Sequence, residues 1–460
     1  MVVVAGVLLW GINWWGNRPL FIDEANVARN LYDRTFAGLF WPLDHRQYAP
    51  PLYLALAKAC GELFGYGERS LRGPALLGGA LAVVGMIVGG KALKLGWWIL
   101  LPLVLLFVNP VVLRYVSEVK PYALDLGLAA LFLAWGLRGG KPGWKIIVAG
   151  VVGIWASLPL IFVLAAVGLH RFLPSLFRPF PRTGGRAPLP WIVTGICWLS
   201  SFAVLYFTVL EPSVGSNYLN IYHGRYFFPL PGSEGFTSRA TDLLMSFPKL
   251  AFGFTAMAIA AGTLASFSAL AFRKTAWLLL PAGLVIIGSA FGFYSLIPRL
   301  LLFTLPGWWL VAGWLSKRFS ERFSGWPTWL LVGGWVLILG GTNVGQHYFS
   351  PQKFSDARRL VRELQPDFTP VLHHSAEPVY DYYTRINPPR IVPKSATTAN
   401  IRAVAMPGNY VVLYDVTTQG NVRESLRQDS IWAAERGCEV RTEAMFRAST
   451  LYVSCPSLDR

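Results

Sequence analysis

The chain has 460 residues, of which 54% are hydrophobic and only 14% charged, with a net charge of +17. A soluble protein spends about a quarter of its residues on charge, so an ordinary soluble enzyme is excluded. A nucleic-acid partner is excluded as well, because the basic excess lies in separate short loops rather than on one continuous face.

Long apolar runs fill roughly the first 345 positions, and residues 346–460 are of ordinary composition. At ~20 apolar residues per span the first part has room for about eleven transmembrane helices. Met1 leads straight into VVVAGVLLWGINWW, with no basic leader and no small-residue cleavage site, which reads as a span and not as a cleaved signal. Spans are predicted at 2–16, 73–90, 96–113, 122–137, 144–156, 160–170, 190–210, 249–271, 276–296, 300–315 and 326–344. Between them stand Lys91 and Lys94; Arg138, Lys141 and Lys145; Arg171, Arg178, Arg182 and Arg186; Arg273 and Lys274; and Lys317, Arg318 and Arg322. Such acid-poor basic loops belong on the cytoplasmic side. All of them fall there if residues 51–65 do not cross. That run is short of a ~30 Å core at ~1.5 Å per residue. It also carries Lys58 and Glu62 on one face, as an amphipathic helix at the outer interface would. The Ser157-Leu158-Pro159 turn makes a short hairpin of 144–156 and 160–170.

The N-terminus is then inside and the C-terminus outside, giving a multi-pass protein of the cell inner membrane. Residues 1–345 form the membrane domain and 346–460 a small extracytoplasmic α/β domain. In the latter FSDARRLVRELQ reads as an amphipathic helix, and TPVLHH, RIVP, YVVLYDV, CEVRTEAMF and STLYVSC as strands. Cys438 and Cys455 lie on two runs able to pair as a hairpin, and a disulfide and two free thiols both remain open.

Candidate chemistry gathers on the outer side. Asp23 and Glu24 follow the first span; they are candidate acid/base groups, although Asp23 also reads as a helix N-cap. His45 precedes Pro50-Pro51, which starts the interfacial helix. The loop Arg114-Tyr115-Val116-Ser117-Glu118-Val119-Lys120-Pro121-Tyr122 packs cations and acids at a membrane boundary. Glu118 and Asp125 share a face if the helix continues past Pro121, and Asp125 is an intramembrane acid. Arg299 stands at the outer boundary of a late span. The loop 217–228, with Tyr222 and Arg225, is aromatic and basic, as suits either a cover over a sugar site or an interfacial belt.

The order Asp23-Glu24-Ala25, Pro50-Pro51-Leu52-Tyr53, Gly67-Glu68-Arg69-Ser70-Leu71-Arg72, Ser117-Glu118-Val119-Lys120-Pro121-Tyr122-Ala123-Leu124, Pro298-Arg299 and a soluble tail resembles the GT-C glycosyltransferases. Within them it is most similar to the protein O-mannosyltransferase and aminoarabinose-transferase-like branch. The resemblance implies a membrane enzyme that moves a sugar, with inversion, from a polyprenyl-phosphate carrier to a lipid, glycan or protein acceptor on the outer face. It implies Asp23 as base, with Glu24 and Glu118 as further acids. Lys120, Arg299 and Arg72 would bind the donor phosphate, and Tyr122 the substrate. On the residues alone Arg225 and Tyr222 are further candidates to bind substrate, and His45 reads either as a ligand or as a solvated loop residue. The aminoarabinose transferases carry an acid and a lysine just before Pro-Pro; here Tyr48 and Ala49 stand there. No clear ligand set for a divalent metal follows, and the cofactor stays open. A lipid-linked-sugar flippase would show internal repeats, and none is found. A polyprenyl-diphosphate-dependent ligase would share this architecture.

Overall fold

The computed structural model describes residues 1–45, 47–176, 189–214, 223–253, 275–322, 355–388, 401–404 and 407–456, with short pieces of one to three residues between 326 and 345. The membrane part is helical: α1 (Val2–Trp15), α2 (Ile22–Asp33), α3 (Pro51–Phe64), α4 (Gly73–Ala92), α5 (Leu100–Val108), α6 (Tyr122–Arg138), α7 (Trp144–Ala156), α8 (Leu160–Leu176), α9 (Leu189–Leu205), α10 (Phe236–Phe252), α11 (Leu280–Ala290) and α12 (Leu305–Arg322). Two described stretches, Gly73–Ala92 and Leu189–Leu210, are long and apolar enough to cross a membrane, and five shorter apolar helices accompany them.

Several predicted spans are broken rather than continuous. The 96–113 run starts with a 3-10 turn and ends at Asn109, whose side chain accepts the Val111 and Val112 N–H groups while Pro110 opens a new six-residue helix. Pro denies the preceding turn a donor and turns the chain. The 300–315 run opens as a 3-10 segment, Pro298–Thr304. The predicted span 249–271 lies mostly outside the described residues, and the described residues of 326–344 are helical.

The membrane helices meet through small residues. α4 and α6 form the most extensive helix pair, and glycines line the crossing. A Cβ at Gly78 would run into the backbone of Ala123 and Leu124, one at Gly127 into the Gly78 carbonyl, and one at Gly85 would lie 2.6 Å from Ala130. Backbones approach this closely only where side chains are absent. α3 lies on α2 as the Lys58/Glu62 face requires, and Lys58 is buried there: its ammonium donates to the Leu31 carbonyl, Glu62 Oε1 and the Tyr66 hydroxyl, each at 2.9 Å.

The tail carries a four-stranded sheet of order β1-β2-β4-β3, with β1 (Thr369–Leu372), β2 (Gly408–Asp415), β3 (Glu439–Met445) and β4 (Ala448–Cys455). β1 runs parallel to β2; the other pairs are antiparallel. β2 is central and buried on both faces. Val411 and Leu413 join a core shared with α2 and α3, while Val412 and Tyr414 face α14 (Gly420–Ala434). α13 (Glu377–Asp381) follows β1. Neither α13 nor α14 is predicted from the sequence, and the helix expected over FSDARRLVRELQ is confined to Ala357–Arg362. The predicted strand RIVP lies outside the described residues. Glu439 pairs with Ser454, which sets Cys438 opposite Cys455 in a hairpin, and the two are joined by a disulfide.

Candidate active site

The site begins at the first turn of α2. Its N-cap is Phe21, so Asp23 lies inside the helix rather than capping it. The Asp23 side chain is 49% exposed, and its Oδ2 lies 3.9 Å from Lys120 Nζ. Lys120 also donates to Gln47 Oε1 at 3.5 Å. Three separate loops thus meet at one opening: the start of α2, the 114–121 turn and the approach to α3.

Glu24 points the other way and is 1% exposed. Its Oε1 accepts the Val119 N–H at 2.8 Å and Arg72 Nη2 at 3.4 Å, and its Oε2 accepts the Phe21 N–H at 3.2 Å. Arg18 Nη2 stands 3.5 Å away. Burial alone would raise the Glu24 carboxyl, but Arg18, Arg72 and the two N–H groups hold it below the ordinary carboxylate range. Because Val119 precedes Lys120, this carboxylate also sets the distance between Asp23 and Lys120. Arg72 is equally buried, and its Nη1 donates to the Arg18 carbonyl at 3.0 Å. Its guanidinium faces Glu24.

Glu118 is 3% exposed and accepts from Arg114 Nε at 2.7 Å, with Arg18 Nη2 at 3.2 Å. The helix does not continue past Pro121: it ends at Tyr115 and a new one starts at Tyr122, so Glu118 and Asp125 do not share a face. Of the three acids read from the sequence, Asp23 is the exposed one.

The other expected residues divide. Tyr122 meets Tyr115 edge-on at 4.8 Å. Arg299 sits in the Pro298–Thr304 segment, near enough to act electrostatically on Tyr115 and His223. The Leu296 N–H donates to the Tyr226 carbonyl at 3.0 Å, which ties the 223–228 loop to the approach of Arg299. Arg225 is exposed, with its guanidinium 5.1 Å from the Tyr226 ring. Tyr222 lies outside the described residues. His45 sits in a turn at φ 60°, beside Arg29, Glu377 and Asp381; burial and then Arg29 lower its pKa.

A separate buried polar cluster surrounds Asp125, the intramembrane acid of the sequence. The hydroxyls of Tyr48 and Tyr53 are buried without a hydrogen-bond partner, and the buried Asp125 carboxyl faces the Ser157 hydroxyl. Asp125 also acts on Tyr48, Tyr53 and Tyr294, which places these phenols around it. Buried polar groups are nearly always satisfied, so two unsatisfied hydroxyls beside a buried carboxyl mark a place where a further polar group fits. Tyr48, Tyr53 and Ser157 come from separate elements, and no spacing in the chain announces them. Among the described residues no group of three or more His, Cys, Asp or Glu side chains comes together as a metal site.

No protein-family model and no curated protein matches the sequence. Solved structures do. The fold is similar to that of ArnT from Cupriavidus metallidurans in the apo state, with a TM-score of 0.51 and 14% identity over 98% of this chain and 97% of that one. The same enzyme bound to undecaprenyl phosphate gives 0.52 and 13% over 99% and 98%. The likeness runs through membrane helices and tail alike, so the whole chain shares one known architecture.

Proposed function

We propose that this chain is a GT-C membrane glycosyltransferase that takes a sugar from a polyprenyl-phosphate carrier and passes it to a hydroxyl acceptor on the outer face of the cytoplasmic membrane. The observation that carries the reading is the half-exposed Asp23 carboxylate facing Lys120 at the first turn of α2. It is supported by the shared fold with ArnT, one structure of which holds undecaprenyl phosphate.

The chemistry follows from the groups present. Asp23 takes the proton of the acceptor hydroxyl as its oxygen attacks the anomeric carbon. The bond from that carbon to the phosphate oxygen breaks, and the lipid phosphate leaves with the electron pair. A single displacement inverts the anomeric centre. Lys120 and Arg299 offset the charge gathering on the phosphate. The unpartnered Tyr48 and Tyr53 hydroxyls beside Asp125 take hydroxyls of the donor sugar. Glu24, Arg72 and Glu118 act as positioning residues, because each is buried and occupied by ion pairs.

Asp23→Asn keeps the size of the side chain and cannot accept the proton. Transfer from a radiolabelled polyprenyl-phosphate sugar by the purified protein is expected to fall ~10²–10⁴-fold, with donor binding retained. Lys120→Ala is expected to weaken donor binding and rate together. A near wild-type rate for Asp23→Asn would remove Asp23 as base.

A further inference from the structure

The soluble tail is wired directly into the loop that carries Asp23. The link centres on Glu68, 4% exposed, on the four-residue helix between α3 and α4. Its Oε1 accepts the Tyr383 hydroxyl at 2.9 Å and Arg358 Nη2 at 2.6 Å; its Oε2 accepts Asn387 Nδ2 at 3.2 Å. All three donors come from the tail. The Tyr383 oxygen in turn accepts the Leu20 N–H at 3.0 Å, and Arg358 Nη2 donates to the Asn17 carbonyl. Leu20 is fully buried and stands three positions before Asp23. On the far side of α2, Arg29 pairs with Glu377 and Asp381, and Arg385 bridges Asp33 and Asp381. α2 is therefore held at both ends by the same soluble domain.

We infer that the tail is part of the catalytic apparatus, with Tyr383 and Glu68 as positioning residues that set the angle at which Asp23 meets the acceptor. The inference rests on the reading of Asp23 as base. Rigid support matters here because a misplacement of ~1 Å in a catalytic group can cost ~10²-fold in rate. The latch fixes the backbone at Leu20, and Glu24 fixes it at Phe21 and Val119. The bonds of Tyr383 and Glu68 run to Leu20, Arg358 and Asn387 and those of Lys120 to Gln47 and Asp23, so loss of the latch is expected to act on the base and to leave phosphate binding alone.

The test uses the full chain in lipid nanodiscs with the same labelled donor. Tyr383→Phe removes the hydroxyl that joins Leu20 to Glu68. The expected result is a roughly tenfold lower kcat, with donor KM and thermal midpoint nearly unchanged. In an Asp23→Asn background, Tyr383→Phe should add no further loss, because an unplaced base and an absent base are equivalent. A merely structural role would lower both backgrounds by the same factor, and that result overturns the inference. Full kcat in Tyr383→Phe also overturns it while Asp23 stays essential. An active Asp23→Asn instead removes the base assignment itself, so the two failures are distinguishable. Should Tyr383→Phe fold poorly, Asp33→Asn tests the exposed end of the same clasp: a lowered kcat with donor KM unchanged supports the inference, and an unchanged kcat overturns it.

Discussion

Adjacent residues Asp23 and Glu24 have opposite fates, and the difference is burial. Glu24 spends its charge on Arg18, Arg72 and two backbone N–H groups. Removing one partner of a buried pair strands the other charge, at a cost of ~3–5 kcal/mol. Glu24→Gln is expected to lower the thermal midpoint of the purified protein by several degrees, whereas Asp23→Asn leaves it in place; equal midpoints for the two would contradict these assignments. Asp415, in the tail, is fully buried, and burial pushes its carboxyl up to about 6. The sign is clear. The folded state holds that proton while the unfolded chain, near its ordinary value, has lost it, so stability falls as pH rises from about 4 to about 6 and the penalty persists above. Asp415→Asn should therefore stabilise the protein at pH 8 and have little effect at pH 4, as melting curves at the two values would show. The same gain at both would mean that the charge is not the cause.

At the scale of elements, the helices of the membrane part were legible from apolar runs, and so were the strands of the hairpin. Their breaks were not. Asn109-Pro110 and Pro298 interrupt runs whose hydropathy is uniform, because hydropathy reports the environment of side chains and not the satisfaction of backbone groups. The contact of α4 with α6 depends on glycines that look incidental in the chain. Gly127→Ala places a methyl against the Gly78 carbonyl. Overpacking at such a crossing costs ~1–3 kcal/mol, so a lowered melting point is expected. Gly168→Ala, where a Cβ would meet nothing within 4 Å, is the control. α14 escaped notice because its residues Gly420–Ala434 are mostly polar, and only three of them are buried: Val422, Asp429 and Ala433.

At the scale of the molecule, the tail and the first outer loop share one apolar core, to which Leu20, Val27 and Leu31 contribute from one side and Tyr382, Val411 and Tyr452 from the other. The loop and tail must then lie on the same side of the membrane, and from the basic loops we propose that this side is the outer one. A membrane-impermeant maleimide applied to intact cells should label a cysteine introduced at Glu424, in a background lacking Cys60 and Cys197. A cysteine at Lys91 should stay unlabelled until the membrane is opened. Early labelling at 91 would invert the proposed topology.

Composition and the placement of charge by themselves pointed to a helical membrane protein with an α/β tail. These properties are sums over many residues and survive local error. The ordered short motifs pointed to the outer loops as the place of chemistry. Only the tertiary structure decided which acid is available, because Asp23 and Glu24 are chemically alike and differ in what surrounds them. Only it brought Tyr48, Tyr53, Asp125 and Ser157 together from distant segments, and only it joined Tyr383 to Leu20 across 363 positions. Distance in the chain carries no record of such meetings.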